Sequence, residues 1–223
     1  MMTNLFSIFD PSTPNFLSSN WMALFIFLFN LPAFIWLIPN RTWFLFNNIY
    51  SYLYSEFQPL IKKSPFILIM PLTFFMYIMI NNLMGLFPYI FTPSSHMIFT
   101  LTLALPTWLA LMIYGWLNNT HNLLAHLVPQ GTPTLLMPFM VLIETISSLI
   151  RPITLSIRLA ANMIAGHLLI TLLSSAFLGA PFISTPILLM AQVSLTLLEL
   201  AVAFIQAYVF TVLVTLYSAE LAH

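Results

Sequence analysis

The sequence predicts an all-α integral membrane protein, and three observations carry that prediction. Of 223 residues, only 4% are charged, with five Lys and Arg against five Asp and Glu, where a soluble domain carries about 25%. Hydrophobic residues make up 61% of the chain and mean hydropathy is +0.99. The apolar residues fall in long runs without strand-like alternation, which excludes a membrane β-barrel. Too few charges remain to coat a soluble core, so lipid must replace water around most of the surface. A soluble enzyme, a disordered chain and a nucleic-acid binder are excluded together. The net charge of zero gives no electrostatic steering, and the absence of Cys removes disulfides, thiolate metal sites and Cys nucleophiles.

A single membrane domain is expected over 1–223. Residues 1–14 contain Asp10 and no Lys or Arg. Neither a secretory signal nor a transit peptide is therefore expected, since both need cations there. Five apolar segments follow, at 21–38, 65–91, 97–117, 134–176 and 183–217. All are read as helices, because a backbone in lipid must close its hydrogen bonds within the segment. The first is just long enough to span. The fourth and fifth are too long for a bilayer that needs about 20 residues of helix. At 1.5 Å per residue they extend roughly 65 Å and roughly 52 Å. Either the fourth is broken at Pro152, or both are steeply tilted as a hairpin along the flank of something large. Between the first two segments, 42–62 repeats Phe46, Ile49, Leu53, Phe57 and Leu60 at helical spacing. Asn47, Asn48, Ser51, Ser55, Glu56 and Gln58 fill the other faces. The pattern suits an amphipathic helix in the interface, with a plain connecting loop as the alternative. The 118–133 connection, rich in Asn, His, Gln, Gly and Pro, is a loop. No repeat or low-complexity tract is evident.

Orientation follows from the cations. Arg41, Lys62 and Lys63 lie in the 39–64 connection, while the N-terminus and the 92–96 and 177–182 turns hold no Lys or Arg. The positive-inside rule puts 39–64 inside. Five spans then leave the N-terminus outside and the C-terminus inside.

Glu144, Arg151, Arg158 and Glu199 all sit inside the two long segments. A charge at the centre of a membrane helix costs about 2.5–3.5 kcal/mol on insertion scales, and such residues mark an ion path or a paired site. Glu144, Ser147, Arg151, Thr154 and Asn162 all fall within roughly 40° of Arg158 on a helical wheel. Ala161 and Ala165 extend this face with small side chains, which let another helix approach. His167 falls about 180° round from Arg158. The fifth segment carries its own stripe of Gln192, Thr196, Glu199, Ala203 and Gln206. If Gln206 lies level with Arg158 in the antiparallel hairpin, Glu199 lies level with His167 toward the outside. Glu144 lies about 21 Å along the helix from Arg158, toward the inside. The layout is an outer titratable pair, a central cation and an inner carboxylate, as two offset half-channels separated by a fixed positive charge would require.

Structural readings stand beside this one. Arg151 can pair with Glu144 or with backbone carbonyls, Glu199 can partner either Arg, His167 can be a hydrogen-bonded core residue, and Asn162 and Gln206 can be interhelical glue. Arg158 resists such a reading, having no acid three or four residues away and lying too deep to snorkel. His121 and His126 lack a third ligand nearby, so no metal is expected. Asn118-Asn119-Thr120 matches a glycosylation acceptor but falls on the inner side. No nucleotide-binding motif is present, and no cofactor is expected.

The run Arg158-Leu159-Ala160-Ala161-Asn162-Met163-Ile164-Ala165-Gly166-His167 resembles the signature of subunit a of the rotary F-type ATP synthases, in its mitochondrially encoded animal form. Asn81-Asn82-Leu83-Met84-Gly85-Leu86-Phe87-Pro88-Tyr89 resembles the motif of the preceding hairpin, and Glu199 with Gln206-Ala207-Tyr208 resembles the last helix. The resemblance covers essentially the whole chain, with no departure at these positions. It implies a non-catalytic stator subunit of the membrane sector in the mitochondrial inner membrane. The N-terminus would face the intermembrane space and the C-terminus the matrix. The implied partners are a ring of c subunits, other membrane-sector and peripheral-stalk subunits, the lipid bilayer and protons. Arg158 then matches the arginine facing the ring, with Asn162 and Gln206 as its polar neighbours. His167 and Glu199 match the entry half-channel pair, and Glu144 matches the exit acid. The 42–62 stretch matches the matrix-surface helix. A respiratory redox subunit is the rival, but a two-haem bundle needs four axial His within spans and only His167 lies securely inside one. A secondary transporter is the second rival, and its usual inverted repeats are not apparent.

Overall fold

The computed structural model describes residues 5–13, 19–30, 40–61, 65–118, 120, 123–124, 127–128, 133, 136–177, 179 and 181–222. Among them the regular structure is helical. The first apolar segment is described only as far as Asn30, as a 3-10 turn (Asn20–Phe25) running into α1 (Ile26–Asn30). The remainder of 21–38 lies outside the described residues, as do Lys62, Lys63, His121 and His126.

α2 (Arg41–Phe57) is amphipathic. Leu53 and Phe57 are buried and Phe46 and Ile49 half-buried, whereas Asn47, Asn48, Ser51 and Ser55 face outward. Leu60 departs from the expected stripe and is exposed. The helix ends at Phe57, with the Gln58 N–H capping the Tyr54 carbonyl, so the period lapses and Ile61 turns inward instead. The Phe57 ring stacks on Tyr208, 6.3 Å between centroids, and Tyr208 Oη donates to Glu56 Oε2 at 3.2 Å. The same carboxylate, beside Tyr52, pushes that phenol above its ordinary range.

α3 (Ile69–Gly85) follows a 3-10 turn at Pro65–Leu68. It stops short of 91, the end expected from hydropathy. Pro88 has no N–H to donate, and its ring would clash with the Met84 carbonyl if the helix continued. Tyr89 then adopts φ 70, a left-handed conformation that turns the chain back. A 3-10 turn at Pro93–Ser95 leads into α4 (Met97–Asn118).

α5 (Met137–Phe177) and α6 (Thr185–Ala222) are the long pair. α5 runs unbroken through Pro152, so the break allowed by the sequence is not taken. With 41 residues in α5 and 38 in α6, each is roughly 60 Å long. A hydrocarbon core is about 30 Å thick, so helices of this length remain in it only by tilting. α4, α5 and 182–219 are each long and apolar enough to cross a membrane, and α3 is a shorter apolar helix.

α6 packs most extensively against α3, and α5 against α4. Phe75, Met76, Ile78 and Met79 of α3 share one core cluster with Leu155 and Leu159 of α5 and with Ala207 and Phe210 of α6. On α6 the buried positions 199, 203, 206, 210 and 214 step by three and four, which is one face of a helix. That face carries Glu199 and Gln206 into the α5 seam. The opposite faces expose Ile146, Leu149, Ile153 and Ile157 of α5 and Leu197, Leu198, Phe204 and Ile205 of α6. Exposed apolar surface on this scale suits lipid and neighbouring subunits.

Candidate functional site

The α5–α6 hairpin brings His167 to Glu199 and sets Arg158 and Gln206 on one crevice, while Thr154 and Thr196 of the two stripes are exposed. At one end His167 Nε2 lies 3.8 Å from Glu199 Oε1. Glu199 is 4% exposed and the His167 side chain 15% exposed. Neither Glu199 oxygen nor His167 Nε2 has a hydrogen-bond partner among the described residues. Leaving such groups unsatisfied costs about 1–3 kcal/mol each, more when charged. An imidazole and a carboxyl at this separation can exchange a proton, and water bridging the two would satisfy both. The Phe9 ring stands edge-on to His167, 6.4 Å between centroids, so the N-terminal segment covers this end of α5.

Gly166 brings the pair together, and sequence reasoning did not single it out. A Cβ there would lie 2.5 Å from Glu199 Oε1 and 2.8 Å from its Cδ. Only a missing side chain lets α6 lay its carboxylate across α5 at this level. The signal was present: a glycine inside a helix sacrifices about 1 kcal/mol of propensity, which close helix approach offsets.

Further out lies a second polar group on separate elements. Asn81 Nδ2, both side-chain polar atoms of Asn82, Ser94 Oγ and His96 Nε2 are buried without hydrogen-bond partners among the described residues. His96 is stacked on Phe91 at 5.2 Å and lies 5.4 Å from the Trp21 ring. The turn that carries them reaches α5. A Cβ on Gly85 would meet Thr92 Cγ2 at 2.7 Å and Met163 Cε at 3.8 Å, and Met163 is one turn before His167. Asn81 and Asn82 open the recognisable 81–89 run, but Ser94 and His96 lie outside it, and only the fold sets the group against α5.

Arg158 and Gln206 border one crevice between α5 and α6, with Leu155, Leu159, Val209 and Phe210. Gln206 is buried and Asn162 half-buried, one turn from Arg158. Arg158 itself is exposed, as are Thr154, Ala161 and Ala165 beside it. No described residue forms an ion pair with Arg158. A permanent cation midway along an apolar helix, flanked by small side chains, can receive an anion from a neighbouring helix.

Toward the start of α5, Arg151 Nη2 lies 3.4 Å from Glu144 Oε1, with both side chains about one-third exposed. The Arg151 guanidinium carbon sits 5.3 Å above the centre of the Tyr217 ring on α6. Glu144 is thus on the same stripe as Arg158, at the opposite end from His167. Among the described residues no cluster of three or more His, Cys, Asp or Glu is arranged to hold a metal.

Comparison with known proteins fits this arrangement. The family model described as ATP synthase A chain matches residues 16–219. The chain is 55% identical over 225 residues to ATP synthase subunit a of Drosophila melanogaster, covering 99% of both chains. It is 54% identical over 224 residues to the proteins of the same name from Anopheles gambiae and Aedes aegypti, again over 99% of each. These similarities favour neither a redox subunit nor a transporter.

Gly166→Ala is expected to displace the Glu199 carboxylate. What must move is the free end of a flexible side chain, so assembly should stay normal while proton flux through the membrane sector falls several-fold. Flux at the wild-type rate in a normally assembled Gly166→Ala complex would show that the close approach has no functional weight.

Proposed function

The chain belongs to the ATP synthase A chain family, and on that premise we propose that it works as a non-catalytic stator carrying protons along two offset half-paths to and from a ring of c subunits. It is a multi-pass mitochondrial membrane protein. The observation that carries the reading is the exposed Arg158, with no acid partner among the described residues, on a face lowered by Ala161 and Ala165. A ring carboxylate arriving in that face meets a fixed positive charge, held beside the polar atoms of Asn162 and Gln206.

The entry path runs from the intermembrane space past the orphaned polar atoms of Asn81, Asn82, Ser94 and His96 to His167 and Glu199. Burying so many unsatisfied groups in one region is favourable only if water threads them. Asp10, beside Phe9, adds an exposed anion near this end, and the Ser12 backbone N–H at 3.0 Å holds its carboxyl below the usual carboxylate range. It stays charged and attracts protons to the mouth. The exit path leads past Glu144 to the matrix. Each proton crossing delivers about 2.3 kcal/mol per 100 mV, which ring rotation conveys to ATP synthesis elsewhere in the complex.

The N-terminal segment, the outer polar group and the His167–Glu199 pair gather at one end of the hairpin. This supports an N-terminus in the intermembrane space, with 39–64 and the C-terminus in the matrix. An impermeant amine reagent should accordingly label Lys62 and Lys63 from the matrix face alone. Labelling confined to the intermembrane face would reverse the orientation.

The entry pair needs one acid and one base within reach, not a particular order. The exchange of His167→Glu with Glu199→His should therefore retain more proton flux than either change alone. A double variant as inactive as the worse single one would mean that the two residues do not act together.

A further inference from the structure

We infer that Arg151 is a positioning residue for the exit acid, its guanidinium bridging the Glu144 carboxylate and the Tyr217 ring so that Glu144 is fixed at the seam between α5 and α6. The inference rests on the reading of Glu144 as that acid. Arg151 lies two turns after Glu144 on the same stripe, about 10 Å along the helix. A helical side chain leans back toward the N-terminus, and the long Arg side chain covers that gap to bring Nη2 to 3.4 Å from Oε1. The flat face of the same group lies over Tyr217, within the range of a cation–π contact. Tyr217 belongs to α6, so one side chain ties the acid on α5 to the opposite helix.

Stability alone does not account for this arrangement. Pairing lets both charges lie within a membrane helix, yet it requires no contact with the opposite helix, and the Arg151 guanidinium makes one with Tyr217. What the bridge supplies is location. An unsupported glutamate has three side-chain torsions and sweeps a wide arc at the helix surface. Bound at the edge of a guanidinium whose face is held by an aromatic ring, it is restricted to one side of α5. Only arginine offers an edge to a carboxylate and a face to a ring at once. Lysine is a point charge without that geometry. Arg158, two turns further along the stripe, differs in this respect: it is exposed and has no acid partner among the described residues. The two arginines therefore divide the work, one holding an acid of its own chain and one facing outward.

The test is passive proton flux through the membrane sector of the assembled complex, with assembly followed by native gel. Glu144→Gln and Arg151→Gln should each lower flux about tenfold, and the double variant should fall no further than the worse single one, because Arg151 acts through Glu144. Tyr217→Phe keeps the ring and should match wild type. Tyr217→Leu and Arg151→Lys should each lose about threefold. If Arg151→Gln does not assemble, Arg151→Lys decides, and wild-type flux there overturns the inference. So do losses that multiply in the double variant, or normal flux in Arg151→Gln beside reduced flux in Glu144→Gln. Normal flux in Glu144→Gln would remove the exit acid itself, and the inference with it.

Discussion

Charge in hydrocarbon must be compensated, and the architecture of this chain follows from how it compensates four charged side chains on two helices. The energetic scale is about 2.5–3.5 kcal/mol for each such group at the centre of a membrane helix. Glu144 and Arg151 offset one another directly. Glu199 is buried against His167, with no hydrogen-bond partner among the described residues, an environment suited to sharing a proton. Arg158 is left over. No described residue forms an ion pair with it, and small side chains at Ala161 and Ala165 leave its face open, as the proposed counter-charge from a ring subunit requires. From Glu144 to His167 the three stations extend over 24 residues of α5, about 35 Å, somewhat more than the roughly 20 residues of an ordinary span, and tilting lets a helix of that length stay within the hydrocarbon.

Much of this was legible because a helix converts sequence spacing into direction. Steps of three and four from Glu144 to Asn162, and from Gln192 to Gln206, define two faces without any coordinates. Antiparallel counting then brings Glu199 level with His167 and Gln206 level with Arg158, and the distances and shared crevice agree. The amphipathic character of α2 was legible for the same reason. The period fails where a helix ends, which is why Leu60 was expected inside and Ile61 was not. Hydropathy carries no information about backbone donors, so the stop at Gly85 imposed by Pro88 was invisible to it, whereas Pro152 sits within α5 without ending it.

Contacts between elements that have no fixed spacing lay beyond the sequence. The Tyr208–Glu56 bond spans 152 positions. Asn82, Ser94 and His96 come from a helix end and a turn, and only the fold brings that turn against Met163. Gly166 was visible as a residue of a recognisable run, but its role depends on what lies across from it. Arg151 could be read from sequence as a partner of Glu144, while its second contact, with Tyr217, belongs to the hairpin.

The outward-facing arginine carries the central claim. A ring carboxylate surrounded by lipid is held neutral, because desolvation disfavours its charge. A guanidinium about 4 Å away contributes roughly 4 kcal/mol at an effective dielectric of 20, equal to about three pKa units, enough to release the proton. Arginine stays protonated throughout, so in the proposed mechanism it serves as a fixed field that also repels protons passing straight from the entry path to the exit path. The most direct measurement compares ATP-coupled proton transport with passive leak through the membrane sector in Arg158→Ala. The account predicts that coupled transport is abolished while passive leak persists in a normally assembled complex. Coupled synthesis near the wild-type rate in that variant would contradict it.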